Sequence, residues 1–138
     1  MNIKQLMSKR ISTITLDDTL RTVQNKLKQT GYHHLLVTEG KQLCGVISDR
    51  DLFKALSPNL DTINETFKDL STLDKKVHQI MSRTLITSSL EANIYDIISL
   101  LNQHDISCVP IVDEQHIPVG IITSRDILKA LEHQHKNQ

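Results

Sequence analysis

The chain has 138 residues, which is the length of one ordinary domain or of two very small ones that share a core. Its 38% of hydrophobic residues exclude a disordered chain, and the balance of 16 Lys and Arg against 16 Asp and Glu gives no electrostatic reason to expect a nucleic-acid partner. No apolar run approaches the ~20 residues of a membrane span, and the N-terminus lacks the apolar core of a signal peptide.

The first predicted element in chain order is an extended segment rich in β-branched residues, Ile11–Leu16. A helix follows, because Leu20, Val23 and Leu27 recur at helical spacing after the acidic residues that favour a helix start, Asp17 and Asp18. The next predicted elements are two strands and a closing helix: His34–Thr38, Cys44–Ser48 and a helix from Leu52 onward.

A predicted linker, Ser57–Lys76, separates this first set of elements from a second one. The linker contains Ser-Pro and then apolar residues at helical spacing, so we expect a helical turn or two within it. These residues are Ile63, Phe67 and Leu70.

The same order of elements then returns. GVISDRDLFKAL at Gly45–Leu56 is repeated as GIITSRDILKAL at Gly120–Leu131, with seven of twelve positions identical. The second set begins with an extended segment, Leu85–Leu90, and a helix after Glu91 with apolar residues at Ile94, Ile97, Ile98 and Leu101. Two strands, Cys108–Val112 and Val119–Thr123, and a closing helix from Ile127 onward follow.

This duplication predicts an α/β (α+β) fold made of two β-α-β-β-α repeats. The strands are apolar on both faces, so each sheet needs a cover on both sides, and the other repeat is the nearest cover. We therefore expect the repeats to pack sheet to sheet with pseudo-twofold symmetry, leaving two related clefts. The predicted divisions are a first repeat, a linker, a second repeat and a polar tail: residues 1–58, 59–76, 77–132 and 133–138.

Each copy places Ser48 or Thr123 at the end of a strand, with an Asp three residues later. This spacing is typical of a helix capping box, which is the simplest interpretation. Arg50 and Arg125 have the wrong charge for a helix start, however, and their presence in both copies indicates a bound anion. A carboxylate beside a phosphate donor suits a ribose diol, so the pattern also predicts a nucleotide site.

The repeat resembles a CBS domain, and the chain resembles a tandem CBS pair, or Bateman module, with no catalytic domain attached. The resemblance rests on the β-α-β-β-α order and on the closing motif G-h-h-S/T-x-x-D at Gly45–Asp51 and Gly120–Asp126. The segment ISCVPIVD at Ile106–Asp113 also matches, as do the opening pairs Thr13-Ile14 and Thr87-Ser88.

In that family, adenosine nucleotides bind in the clefts between the paired sheets. The resemblance implies that Asp51 and Asp126 hold ribose and that Ser48 and Thr123 contact ribose or phosphate. The resemblance also implies that the pocket walls and the frame around adenine lie at Thr13, Thr87, Tyr32, His33, Ile106 and Ser107. It implies phosphate contacts at His33, His34, Arg50 and Arg125. The better-equipped cleft would combine Asp126, Arg125, Thr123, Thr13, Tyr32, His33 and His34, and the poorer one Asp51, Arg50, Ser48, Thr87, Ile106 and Ser107.

The resemblance further implies a regulatory module that senses AMP, ADP, ATP or a related adenosyl ligand such as S-adenosylmethionine or cyclic di-AMP. Occupancy would be signalled by a conformational change, and the module would form a homodimer and act on an unidentified protein target. The alternative is a ligand-free module that serves dimerisation or protein interaction.

Other classes of function find less support in the sequence. No nucleophile with a positioned base and no Gly-rich phosphate loop is evident, so we predict that the chain is not an enzyme. Adjacent residues of a strand point to opposite faces, so His33 and His34 are poorly placed to bind one zinc ion together. Tyr32 has an alternative role as an ordinary aromatic residue in the core or at its rim. Cys44 and Cys108 lie in apolar stretches without CxxC spacing. The simplest interpretation is that both thiols are reduced, as in a cytoplasmic chain.

Overall fold

The computed structural model describes residues 2–137. The elements of the first half are α1 (Ile3–Leu6), β1 (Thr13–Thr15), α2 (Leu20–Thr30), β2 (His34–Glu39), β3 (Gln42–Ser48) and α3 (Asp49–Ala55). Those of the second half are α4 (Phe67–Ser71), a 3-10 turn (Thr72–Asp74), α5 (Val77–Ile80), α6 (Ile94–Gln103), β4 (Cys108–Val112), β5 (Pro118–Thr123) and α7 (Ser124–Lys136). The mixed α+β class is confirmed.

These elements form two compact units that interleave along the chain. The first unit is Ser12–Leu85, and the second unit is the described part of Met1–Ile11 together with that of Ile86–Gln138. Each unit therefore contains a short helix that belongs, in the sequence duplication, to the other repeat: α5 lies near the end of the first unit, and α1 lies in the second unit. The repeat boundaries read from the sequence stay a prediction about the duplication.

The sheet of the first unit has the strand order β1-β2-β3. Strand β1 runs parallel to β2, with Thr13 opposite Leu36, and β2 runs antiparallel to β3, with His34 opposite Ser48. Leu20, Val23 and Leu27 of α2 are buried in the core of this unit. The apolar spacing in the sequence thus predicted the buried face of α2.

The sheet of the second unit has two named strands, β4 and β5, in antiparallel pairing. The extended segment predicted at Leu85–Leu90 is reduced to one parallel bridge, Ser88 with Ile111. The prediction of a full strand there was wrong. Serines at Ser88 and Ser89 replace the β-branched Ile14 and Thr15 of the first copy, and serine has a weaker preference for strands.

The two four-residue helices, α1 and α5, were missed by the sequence analysis. Ile3 is fully buried in the core of the second unit, and Val77 is fully buried in that of the first unit. A helix this short is not stable alone, so its packing must stabilise it. The capping box of α1, in which Asn2 and Gln5 bond each other's backbone, was the available signal.

The linker is partly helical, as expected. Helix α4 includes Phe67 and Leu70, whereas Ile63 lies outside any helix and is fully exposed. The Ser57 hydroxyl donates to the Asp69 carboxylate at 2.6 Å, which ties α4 to the end of α3. Within residues 2–137, no helix has both the length and the apolar character needed to cross a bilayer.

Candidate functional site

The two repeated Ser/Thr-x-x-Asp motifs are capping boxes in the structure. The Ser48 N–H donates to Asp51 Oδ2 at 2.8 Å, and the Asp51 N–H donates to Ser48 Oγ at 3.1 Å. Thr123 and Asp126 exchange the same two bonds at 2.9 and 3.1 Å. These bonds explain why α3 and α7 begin three residues earlier than predicted, at Asp49 and Ser124.

Each capping carboxylate keeps one oxygen for another partner. Oδ2 of Asp51 and Oδ2 of Asp126 accept the capping bonds, and among residues 2–137 no donor bonds either Oδ1. Both side chains are half-buried at the end of a strand. An oriented carboxylate with a free oxygen can accept a hydrogen bond from a hydroxyl group, as a ribose diol requires.

The arginines that precede these carboxylates are available to an anion. Arg50 and Arg125 are exposed, and the described part of the chain offers neither guanidinium a hydrogen bond or an ion pair. A guanidinium that is free in the protein can form a bidentate pair with phosphate at little cost. The sequence prediction of a phosphate role for these residues stays a prediction.

The pairing of strands brings the other predicted site residues to the same edge of each sheet. In the first unit, the Asp49 N–H donates to the His33 carbonyl at 2.9 Å, next to the pairing of His34 with Ser48. In the second unit, the Ser124 N–H donates to the Ser107 carbonyl at 3.1 Å. The starts of β2 and β4 therefore lie against the starts of α3 and α7, respectively.

The side chains along these edges differ in exposure. Tyr32, His34 and Ile106 are half-buried, whereas His33 and Ser107 are exposed. Burial lowers the pKa of His34 from its ordinary value of 6.5, although the Asp49 carboxylate opposes this effect. His34 therefore favours its neutral form.

The two predicted wall threonines lie on the first extended segments. Thr13 is exposed on β1, and its carbonyl accepts a bond from Lys26 Nζ at 2.6 Å. Thr87 lines a pocket of about 420 Å³. Val112, at the end of β4, lines the same pocket, whereas Thr123 pairs with Cys108 at the opposite end of that strand. The grouping of residues from both repeats into shared clefts stays a prediction.

One pair of site residues has no counterpart in the sequence analysis. His33 Nδ1 lies 2.8 Å from Asp49 Oδ2 and forms an ion pair when the imidazole is protonated. The two residues are far apart in the chain, and no motif contains both, so only the pairing of β2 with β3 reveals the contact. The described residues contain no cluster of three or more His, Cys, Asp or Glu side chains that could hold a metal ion.

Two sequence comparisons agree with this architecture. The family model described as CBS domain matches residues 3–58 and 77–133. A CBS domain-containing protein of Dictyostelium discoideum is 33% identical over 131 residues, covering 94% of this chain and 90% of the relative. The chain spans only 44% and 37% of the length of two uncharacterized Methanocaldococcus jannaschii proteins that it also matches.

Solved structures show the same fold. The CBS domain pair of protein MJ0100, in complex with 5′-methylthioadenosine and S-adenosyl-L-methionine, has a TM-score of 0.77 at 26% identity and covers 95% of this chain and 99% of that one. The cytosolic domain of the Mg²⁺ channel MgtE, in complex with ATP, has a TM-score of 0.75 at 21% identity, covering 94% of this chain and 48% of that one. The repeated architecture and these matches establish that the chain belongs to the CBS domain family, as a tandem pair of CBS repeats.

Proposed function

We propose that this chain is a regulatory module that binds an adenosyl ligand and has no catalytic role of its own. The observation that carries the proposal is the duplicated edge, where a capping Asp with a free oxygen follows an unpaired Arg in both units. Asp51 and Asp126 would accept bonds from ribose hydroxyls, and Arg50 and Arg125 would hold a phosphate or another anionic group.

The ligand class is supported by the solved relatives. The MJ0100 pair holds two adenosyl compounds without phosphate, and the MgtE domain holds ATP. The chemical part that these ligands share is the adenosyl group, which is adenine on a ribose ring with its 2′ and 3′ hydroxyls. We therefore propose that this chain recognises the adenosyl group of its ligands, with AMP, ADP, ATP, S-adenosylmethionine and cyclic di-AMP as the compounds to test.

Regulation would follow from differential binding. A ligand that binds one conformation better than another shifts the population toward it, and a protein target would detect that shift. The experiment is a set of thermal melts with each adenosyl compound. A ligand at one hundred times its Kd stabilises the native state by about 2.7 kcal/mol, so a clear rise in Tm is expected. The absence of any rise at millimolar ligand would contradict the proposal.

A second proposal, homodimer formation, rests on exposed apolar side chains of the closing helices. Phe53 of α3 is 70% exposed, and Leu128, at the equivalent position of α7, is 65% exposed. Large apolar groups at matching positions of both repeats are typical of an interaction surface. Sedimentation should show a dimer that Phe53→Lys or Leu128→Lys weakens, whereas Lys54→Ala, on the same helix as Phe53, should leave it intact. A monomer at all concentrations would exclude this second proposal.

A further inference from the structure

The two units differ in charge at otherwise equivalent edges. Both keep a backbone bond, between the residues that precede β2 and follow β3 at 2.9 Å and between those that precede β4 and follow β5 at 3.1 Å. The side chains at the two ends of this bond are His33 and Asp49 in the first unit, but Ser107 and Ser124 in the second unit. The first unit thus carries a contact between an imidazole and a carboxylate where the second unit carries two hydroxyl side chains.

The Asp49 carboxylate occupies the imidazole nitrogen of His33 that would otherwise be able to donate a hydrogen bond to an anion. Asp49 Oδ2 lies 2.8 Å from His33 Nδ1, and the Asp49 side chain is about one-third exposed, at 31%. An incoming phosphate would have to displace this carboxylate from His33 or remain beside it. Like charges this close repel one another, which disfavours a ligand with several negative charges.

The residues that open the two closing helices show the same difference in charge, which is due to Asp49. Asp49, Arg50 and Asp51 together carry one net negative charge, whereas Ser124, Arg125 and Asp126 carry none. Arg50 is thus flanked by two acids, and Arg125 by only one. The second unit therefore provides a better environment for phosphate, and the first unit provides a better one for an uncharged or cationic group.

We propose that Asp49 is a specificity-determining residue that makes the two units prefer different adenosyl ligands. The edge of the first unit accepts adenosyl compounds whose 5′ group is uncharged or cationic, such as a thioether or a sulfonium. The edge of the second unit accepts phosphorylated adenosine. This inference rests on the proposed function, since it concerns which adenosyl ligand each edge receives.

Site-resolved NMR titration of the full chain tests the inference. In the parent protein, 5′-methylthioadenosine should shift the amide signals of His33, His34 and residues 49–51, and ATP should shift mainly those of Ser107 and residues 123–126. Asp49→Ser, which copies the second unit, should tighten ATP binding at the first edge by about fivefold, the size expected for a partly exposed ion pair. Binding of 5′-methylthioadenosine should change less than twofold.

A matched control is Asp17→Ser, which removes the same charge beyond the carboxyl end of β1. That end of the sheet is opposite to His33, because β1 and β2 are parallel. Asp17→Ser should leave the preference unchanged. Equal ATP affinity at the first edge in the parent and in Asp49→Ser would overturn this inference alone, as would an equal effect of the control. Failure of every adenosyl compound to bind the folded parent would overturn the proposed function with it.

Discussion

Asp51 and Asp126 each combine a structural bond with a free acceptor. One carboxylate oxygen caps the closing helix, and this bond fixes the direction of the other oxygen. A pre-oriented acceptor loses little entropy when it binds a hydroxyl group. The same residue can therefore cap a helix and bind a ligand. A substitution that tests ligand binding needs a control that removes only a helix cap.

Asp126→Ala should weaken the binding of adenosyl ligands by about 1–3 kcal/mol, because a ribose hydroxyl would lose its acceptor. Calorimetry with adenosine and ATP measures this loss. The matched control is Asp96→Ala, since Asp96 caps α6 through the same kind of box with Asn93. Both variants should lose helix stability, but only Asp126→Ala should lose affinity. Equal affinity in the two variants would remove Asp126 from the ribose role.

Arg125→Ala should reduce the affinity for ATP more than that for adenosine, because only ATP presents an anion to the guanidinium. The difference between the two losses, measured by calorimetry at one salt concentration, isolates the phosphate contact. Arg83→Ala is a suitable control, since the Arg83 guanidinium donates to the His78 carbonyl in the first unit. Equal losses for both ligands would exclude a phosphate contact at Arg125.

His34 makes the stability of the protein depend on pH. Its pKa is lowered from 6.5 in the folded state, mainly by burial, so the unfolded chain binds more protons as the solution is acidified. The free energy of unfolding should therefore fall as the pH falls from about 6.5 toward the lowered pKa. Urea melts across this range should show a smaller decrease for His34→Gln than for the parent. The exposed His135→Gln should resemble the parent, and an unchanged slope in His34→Gln would contradict the prediction.

At the scale of elements, the residues that follow the short helices α1 and α5 lie close to β5 and β3, respectively. A Cβ added at Gly120 of β5 would lie 2.5 Å from Met7 Sδ and 3.0 Å from the Ser8 carbonyl oxygen. A Cβ at Gly45 of β3 would meet Met81 and Ser82 at 2.6 and 3.1 Å. Glycine is needed here for close packing rather than for an unusual backbone conformation.

Gly120→Ala should lower the free energy of unfolding by about 1–3 kcal/mol, because the methionine and the backbone behind it must move. Chemical denaturation measures this change. In a double-mutant cycle, Met7→Ala should remove part of the penalty, since the nearest atom is then gone. Additive effects of the two substitutions would show that the contact does not limit the packing.

At the scale of the whole molecule, the cores of the two units are built across the duplication. Ile3 and Met7 belong to the core that contains Val109 and Ile122, and Val77 and Met81 belong to the core that contains Leu35 and Ile47. Residues that open one repeat in the sequence therefore stabilise the sheet of the other repeat. Each core therefore gains buried apolar residues from the other repeat, in addition to those of its own small sheet of three or two named strands.

Ile3→Ala should destabilise the second unit by about 2–5 kcal/mol, the range for truncating a fully buried Ile. Hydrogen exchange should then accelerate at β4 and β5 before it does at β2 and β3. Val77→Ala is the matched counterpart and should accelerate exchange at β2 and β3 first. Exchange that accelerates at β2 in response to Ile3→Ala would contradict the interleaved cores.

The sequence by itself determined the duplication, the capping boxes and the buried face of α2, because these depend on residues that are near one another in the chain. Leu20, Val23 and Leu27 need only helical periodicity to be recognised, and Ser48 with Asp51 needs only a spacing of three. The family and its α+β class followed from these local patterns.

Only the tertiary structure decided which helix packs in which core, where an extended segment is too weak to form a strand, and which charges meet. Ile3 and Val77 lie in helices whose stability comes from distant contacts, so local propensity could not predict them. His33 meets Asp49 because β2 pairs with β3, and that register brings together side chains from separate segments. Contacts of this kind depend on the folded backbone, which local sequence does not specify.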